Sequence, residues 1–113
     1  MEQLTGVYVM RVASMLCGMH PQTLRKYERV GLVAPSRNGM LRMYSDEDIA
    51  RLRMIKRLVD NVGLNVAGVE LALNLRAKIL DMKDELALAG IEGGVGERLA
   101  MFLDELLEML GTY

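Results

Sequence analysis

His20-Pro21-Gln22-Thr23-Leu24-Arg25-Lys26-Tyr27-Glu28-Arg29-Val30-Gly31, residues 20 to 31, carries helix punctuation at both ends. Proline suits the first helical position, where its missing N–H would have no partner anyway. His20 before it reads as a stand-in for an N-cap. Gly31 reads as the residue just past the end, where a left-handed backbone is wanted. Upstream, Arg11 to Cys17 puts Val12, Ala13 and Leu16 on one helical face and stops at Gly18. Two short helices around a Gly18-Met19 turn predict a helix-turn-helix, with the 20–30 helix as its second member.

Outward from that core, Leu32-Val33-Ala34 and Leu41-Arg42-Met43-Tyr44 flank Pro35-Ser36-Arg37-Asn38-Gly39. Asn-Gly between extended runs predicts a hairpin, because both residues tolerate positive φ. This hairpin would be a wing. Val7-Tyr8-Val9 is a further short β-prone run. Ser45 is an N-cap type, and Asp46-Glu47-Asp48 after it suit the positive end of a helix dipole. Ile49, Leu52, Ile55, Leu58 and Val59 then form an apolar stripe to about Asn61, and Gly63 breaks it. Asn65 opens another helix through Val66, Val69 and Leu73. From there Leu75, Ile79, Met82, Leu86 and Ala89 follow the 4-3-4-3 spacing of a coiled-coil seam. The seam is too short to pair stably alone, so it is either a supported dimer contact or an intramolecular core face.

Gly90 to Gly96 reads as a flexible linker, since no Gly-Lys-Ser/Thr follows to make a phosphate loop. Glu97 to Leu110 is amphipathic through Leu99, Phe102, Leu103, Leu106, Leu107 and Leu110. The expected fold is therefore mainly α. A winged helix-turn-helix fills residues 1–75, a dimerisation helix 76–89, and a linker with a C-terminal amphipathic helix 90–113.

Among the 113 residues 51% are apolar, yet there is no Trp and a single Phe. The core must be built from Leu, Val, Ile, Ala and ten Met, a set that favours helices. No apolar run approaches the ~20 residues of a membrane span. The opening Met1 to Gly6 lacks the layout of a signal peptide. A lone Cys17 forms no internal disulfide and reads as a small buried hydrophobe. A cytoplasmic protein without membrane contact is expected. The net charge of −1 hides an asymmetry: residues 1–60 carry ten Lys/Arg against six acids, and residues 61–113 four against nine. A basic half suited to a polyanion and an acidic half kept away from it is the division this predicts. No Ser/His/acid set, paired carboxylates or metal-spaced cluster appears, so neither enzyme chemistry, nor a cofactor, nor a metal is expected.

Thr23-Leu24-Arg25-Lys26-Tyr27-Glu28, Val30-Gly31-Leu32-Val33-Ala34-Pro35 and Arg42-Met43-Tyr44-Ser45 resemble the MerR family. Its pattern runs Thr-(Ile/Leu)-Arg-x-Tyr-(Glu/Asp)-x-x-Gly-Leu, then Arg-x-(Tyr/Phe)-Ser before the next helix. Gly18-Met19-His20-Pro21-Gln22-Thr23-Leu24-Arg25 and Gly63-Leu64-Asn65-Val66-Ala67-Gly68-Val69 are similar to its heat-shock repressor branch, HspR. The resemblance covers residues 7 to about 75. Met43 stands where many members carry a second wing arginine, which removes one phosphate contact.

The resemblance implies a regulator of transcription whose 20–30 helix lies in the major groove of double-stranded DNA. Gln22 and Thr23 would present to bases in the first turn, since Gln bonds adenine bidentately and Thr offers a methyl to thymine. Arg25 and Tyr27 match contacting positions. Arg25 would read guanine or clamp phosphate, and Tyr27 either packs or touches phosphate. Lys26 and Arg29 are backbone contacts by spacing. Arg37, Asn38, Arg42 and Tyr44 of the wing would reach flanking phosphates or the minor groove. Relatives pair through an antiparallel coiled coil, so Leu75, Ile79, Met82, Leu86 and Ala89 would make a homodimer on an inverted repeat. The branch implies a repressor of heat-shock and chaperone genes, with the DnaK chaperone as co-repressor partner of the C-terminal region. A MerR-type regulator of another regulon, a winged-helix architectural factor for recombination and a protein-interaction module are the alternatives.

Overall fold

The computed structural model describes residues 6–90 and 93–111. The readings placed on residues 1–5 and on Ile91-Glu92 of the linker lie outside the described residues. The chain divides into two units, residues 6–61 and 62–111.

In the first unit, strand β1 (Tyr8–Val9) leads into helix α1 (Met10–Cys17) and helix α2 (Pro21–Arg29). The turn between the helices is closed by several hydrogen bonds. Gly18, at φ +64°, donates to Met15 O and Met19 N donates to Ser14 O, while the Ser14 hydroxyl donates to Met19 O. Strands β2 (Ser36–Asn38) and β3 (Leu41–Tyr44) follow, then helix α3 (Asp46–Arg57). Helix α3 starts on a reciprocal capping box. Ser45 Oγ accepts the Asp48 N–H at 3.0 Å, and the Asp48 carboxylate accepts the Ser45 N–H at 2.9 Å. A π-helical turn, Leu58–Val62, ends the stripe predicted for this helix.

The three strands form one antiparallel sheet in the order β1-β3-β2, so the β-prone Val7–Val9 run becomes an edge strand on the wing. The hairpin differs from its reading in two ways. Leu32 and Val33 are buried but are not strand; the first wing strand starts only at Ser36. The turn residues are Gly39-Met40 rather than Asn38-Gly39, because Asn38 is already paired with Leu41. Only Gly39 needs positive φ, at +63°, which is the requirement of a II′-type turn. Leu24, Tyr44, Leu52, Met54 and Ile55 are fully enclosed and make the centre of this unit.

The second unit holds helices α4 (Val66–Leu88) and α5 (Gly94–Leu110), which pack on one another. Asn65 caps α4 by accepting the Gly68 N–H at 2.9 Å. The helix runs unbroken through residue 75, where the sequence reading set a domain boundary, since no Gly or Pro falls between Val69 and Leu88. Helix α5 begins at Gly94, three residues ahead of the predicted start. Lys83 forms an ion pair with Asp104 across the two helices. No helix among the described residues is long and apolar enough to cross a membrane.

Candidate nucleic-acid interface

Helix α2 is two-sided. Its first free amide is satisfied by His20, whose Nδ1 accepts the Gln22 N–H at 3.0 Å, and Pro21 occupies the first turn. At the far end Gly31, at φ +83°, lets Leu32 N bond back to Tyr27 O at 2.8 Å. Leu24 and Tyr27 point inward and are buried, at 0% and 6% exposure. Gln22, Arg25, Lys26 and Arg29, spaced to share the opposite face, are all exposed, and Thr23 is half-buried. Arg25, Lys26 and Arg29 make no ion pair among the described residues.

The four wing residues separate by role. Arg37 and Asn38 are exposed on β2. Arg42 is half-buried, and its Nε donates to both carboxylate oxygens of Glu28, at 2.6 and 3.0 Å. Tyr44 is wholly enclosed, with a hydroxyl that meets no partner among the described residues. Burial, then the Glu28 charge, pushes the Tyr44 phenol above its ordinary pKa, so it stays neutral. Tyr27 is likewise raised, first by burial and then by the Asp60 charge. Both tyrosines therefore stand as packing residues in this structure. Replacing Tyr44 by Phe removes a polar atom that bonds to nothing. We expect unfolding stability to be unchanged or raised by up to about 1 kcal/mol, and duplex affinity to be unaltered. Loss of duplex affinity in a titration of Tyr44→Phe would instead place the hydroxyl on DNA.

Other cations of the basic half serve the fold. Arg51 Nε donates to Leu32 O at 2.5 Å, Arg53 donates to Leu16 O at 3.0 Å, and Lys56 pairs with Asp60 at 2.9 Å. Arg53 and Arg51 tie the end of α1 and the loop after α2 to α3, and Lys56 ties α3 to the π-helical turn that follows it. Sequence reading counted them as part of a basic patch; only register shows that they are spent internally. Glu28 was also missed. Two signals pointed to it: an acid stands at its place in the family pattern, and it is alone on an otherwise basic helix.

Cys17 is buried, and burial raises its thiol pKa. Among the described residues no group of His, Cys, Asp and Glu is placed to hold a metal ion. Of the seam residues, Ile79 is buried and Leu86 half-buried, while Leu75, Met82 and Ala89 remain exposed. Two apolar gaps line the seam beside α5. One of about 160 Å³ is bounded by Met82, Leu86, Leu99, Phe102 and Leu103. The other, of about 280 Å³, includes Leu75, Ile79, Met82 and Leu106.

A closed two-helix turn, a polar outward face on the second helix and an antiparallel hairpin beside it define a winged helix-turn-helix protein. Comparison with known proteins narrows the class. Residues 8–75 match the family described as MerR HTH family regulatory protein. A Streptomyces coelicolor protein named for the heat shock protein HspR is 43% identical over 84 residues, covering 74% of this chain and 56% of its own length. The HTH-type transcriptional regulator MlrA of Escherichia coli K12 is 40% identical over 71 residues, 61% of this chain and 29% of its own. The mercuric resistance operon regulatory protein of Bacillus cereus is 36% identical over 74 residues, 60% of this chain and 55% of its own. The chain thus spans about half the length of two of these relatives and less of the third. It belongs to the MerR family of DNA-binding transcription regulators and stands close to the HspR branch.

Proposed function

We propose that the chain is a repressor of heat-shock or chaperone genes, acting as a homodimer on an inverted repeat in double-stranded DNA, and not an enzyme. The observation that carries DNA reading is the split of α2. Leu24 and Tyr27 anchor it inward, while Gln22, Arg25, Lys26 and Arg29 stand outward with no internal ion pair among the described residues. Such a helix fits the major groove, where each base pair offers a distinct donor and acceptor pattern. Gln22, Thr23 and Arg25 contact base edges. Lys26 and Arg29, with Arg37, Asn38 and Arg42 of the wing, hold phosphates and fix register. Tyr27 and Tyr44 support them from beneath.

One helix reads a short site, so two copies are required for useful selectivity. Leu75, Ile79, Met82, Leu86 and Ala89 supply the pairing seam. Its exposed members and the apolar gaps beside them are what a second copy would cover. The heat-shock target rests on the likeness to the HspR relative. Such a protein works in the cytoplasm at the nucleoid.

Selection from a pool of random duplexes tests the proposal. The expected product is two identical half-sites in inverted order, with one dimer bound. Enrichment of single sites, or of no sequence at all, would contradict it.

A further inference from the structure

The register of the wing sets Arg37 directly opposite Arg42 across the β2–β3 hairpin. Like charges facing one another across a strand pair destabilise it. A single carboxylate answers both. Glu28, near the end of α2, takes Arg42 Nε at 2.6 Å and a terminal nitrogen of Arg37 at 3.3 Å. The two bonds differ in kind. The Arg42 contact is short, involves both carboxylate oxygens, and lies between side chains only 29% and 19% exposed. The Arg37 contact is long, and its side chain is 51% exposed. A guanidinium has five N–H donors. The Arg42 tie uses Nε alone, which leaves its terminal nitrogens for another acceptor.

We infer that Glu28 is a positioning residue for DNA reading: it ties the wing to the reading helix through Arg42 Nε and gives up Arg37 to a phosphate when duplex arrives. The inference rests on the reading that α2 and the wing face DNA. An acid at the edge of a polyanion site is otherwise a liability, since it repels phosphate. Here the repulsion is offset locally by two arginines. What the acid supplies is a fixed distance between the base-reading face of α2 and the phosphate-holding wing. Arg42 keeps both partners at once, Nε on Glu28 and its outer nitrogens toward the backbone of the duplex. Arg37 exchanges one oxyanion for another.

The test compares full-length wild type, Glu28→Gln and Arg42→Lys on the selected duplex and on a scrambled duplex of equal length. Glu28→Gln keeps the shape but cannot neutralise the two arginines. It is expected to lower the ratio of specific to scrambled affinity about tenfold, with scrambled binding equal or tighter. Arg42→Lys keeps the strand charge but has no Nε, and it is expected to lose the same discrimination. A merely structural loss reduces the active fraction and both affinities together, leaving the ratio unmoved. A ratio unchanged in either variant therefore overturns the inference, as does an equal gain on both duplexes, which would make Glu28 a simple repeller. A wild type that prefers no duplex overturns the DNA-reading proposal itself and this inference with it.

Discussion

Raising monovalent salt from about 50 to about 200 mM is expected to weaken the complex of the proposed dimer with duplex by about four powers of ten. The size follows from the cations the fold leaves outward. In each copy of the proposed dimer Arg25, Lys26, Arg29 and Arg37 are exposed, Arg37 being engaged only through its long contact to Glu28, and Arg42 keeps its terminal nitrogens for phosphate beside its Nε tie. The proposed dimer therefore offers about ten cations, about two of them the Arg25 side chains at base edges and about eight on phosphates, and each neutralised phosphate releases its condensed counterions on binding. Arg51, Arg53 and Lys56 are excluded from that sum because carbonyl oxygens and Asp60 hold them. Lys26→Ala should cut the slope of log affinity against log salt by about two, one contact in each protomer. Arg51→Ala should leave that slope alone. Fluorescence titrations at several salt concentrations measure both, and a flat wild-type line contradicts an interface built on phosphate.

The second large effect is on stability. Leu24→Ala should cost about 2–5 kcal/mol in denaturant unfolding, for it removes the branched end of the side chain, Cγ and both Cδ carbons, from a fully enclosed site. Gln22→Ala, two residues earlier on the outward face, should stay within about 0.5 kcal/mol of wild type. The contrast on one helix tests its two-sidedness without any DNA. Equal effects at the two positions would mean that the outward face is also packed, and the proposed reading surface would be lost.

Much of this architecture was legible because its boundaries are written in local chemistry. His20-Pro21, Gly31, the Ser45–Asp48 box and Asn65 each satisfy orphan amides or carbonyls at a helix end, and such needs are met by neighbours in sequence. Features set by register were not legible. Leu32-Val33 looks like a strand, yet it is a buried connection, since apolar runs of that length suit either. Tyr44 looks like a wing contact because tyrosine suits an interface, but β3 turns it into the core. The Glu28 tie spans nine and fourteen residues and depends on which wing residues face each other. The seam shows a different limit. Its spacing is apolar on a face broad enough to meet α5 and still leave Leu75 and Met82 in the open, and heptad arithmetic cannot apportion one stripe between two neighbours.

The proposed orientation of α2 in the groove depends on which of its side chains meet base pairs. Repeating the random-duplex selection with Arg25→Ala puts that question most directly. The predicted outcome is that preference vanishes at one base pair in each half-site, at symmetric positions, while the spacing between half-sites persists. Recovery of the wild-type consensus, unaltered at every position, would remove Arg25 from the bases and with it the orientation assigned to the helix.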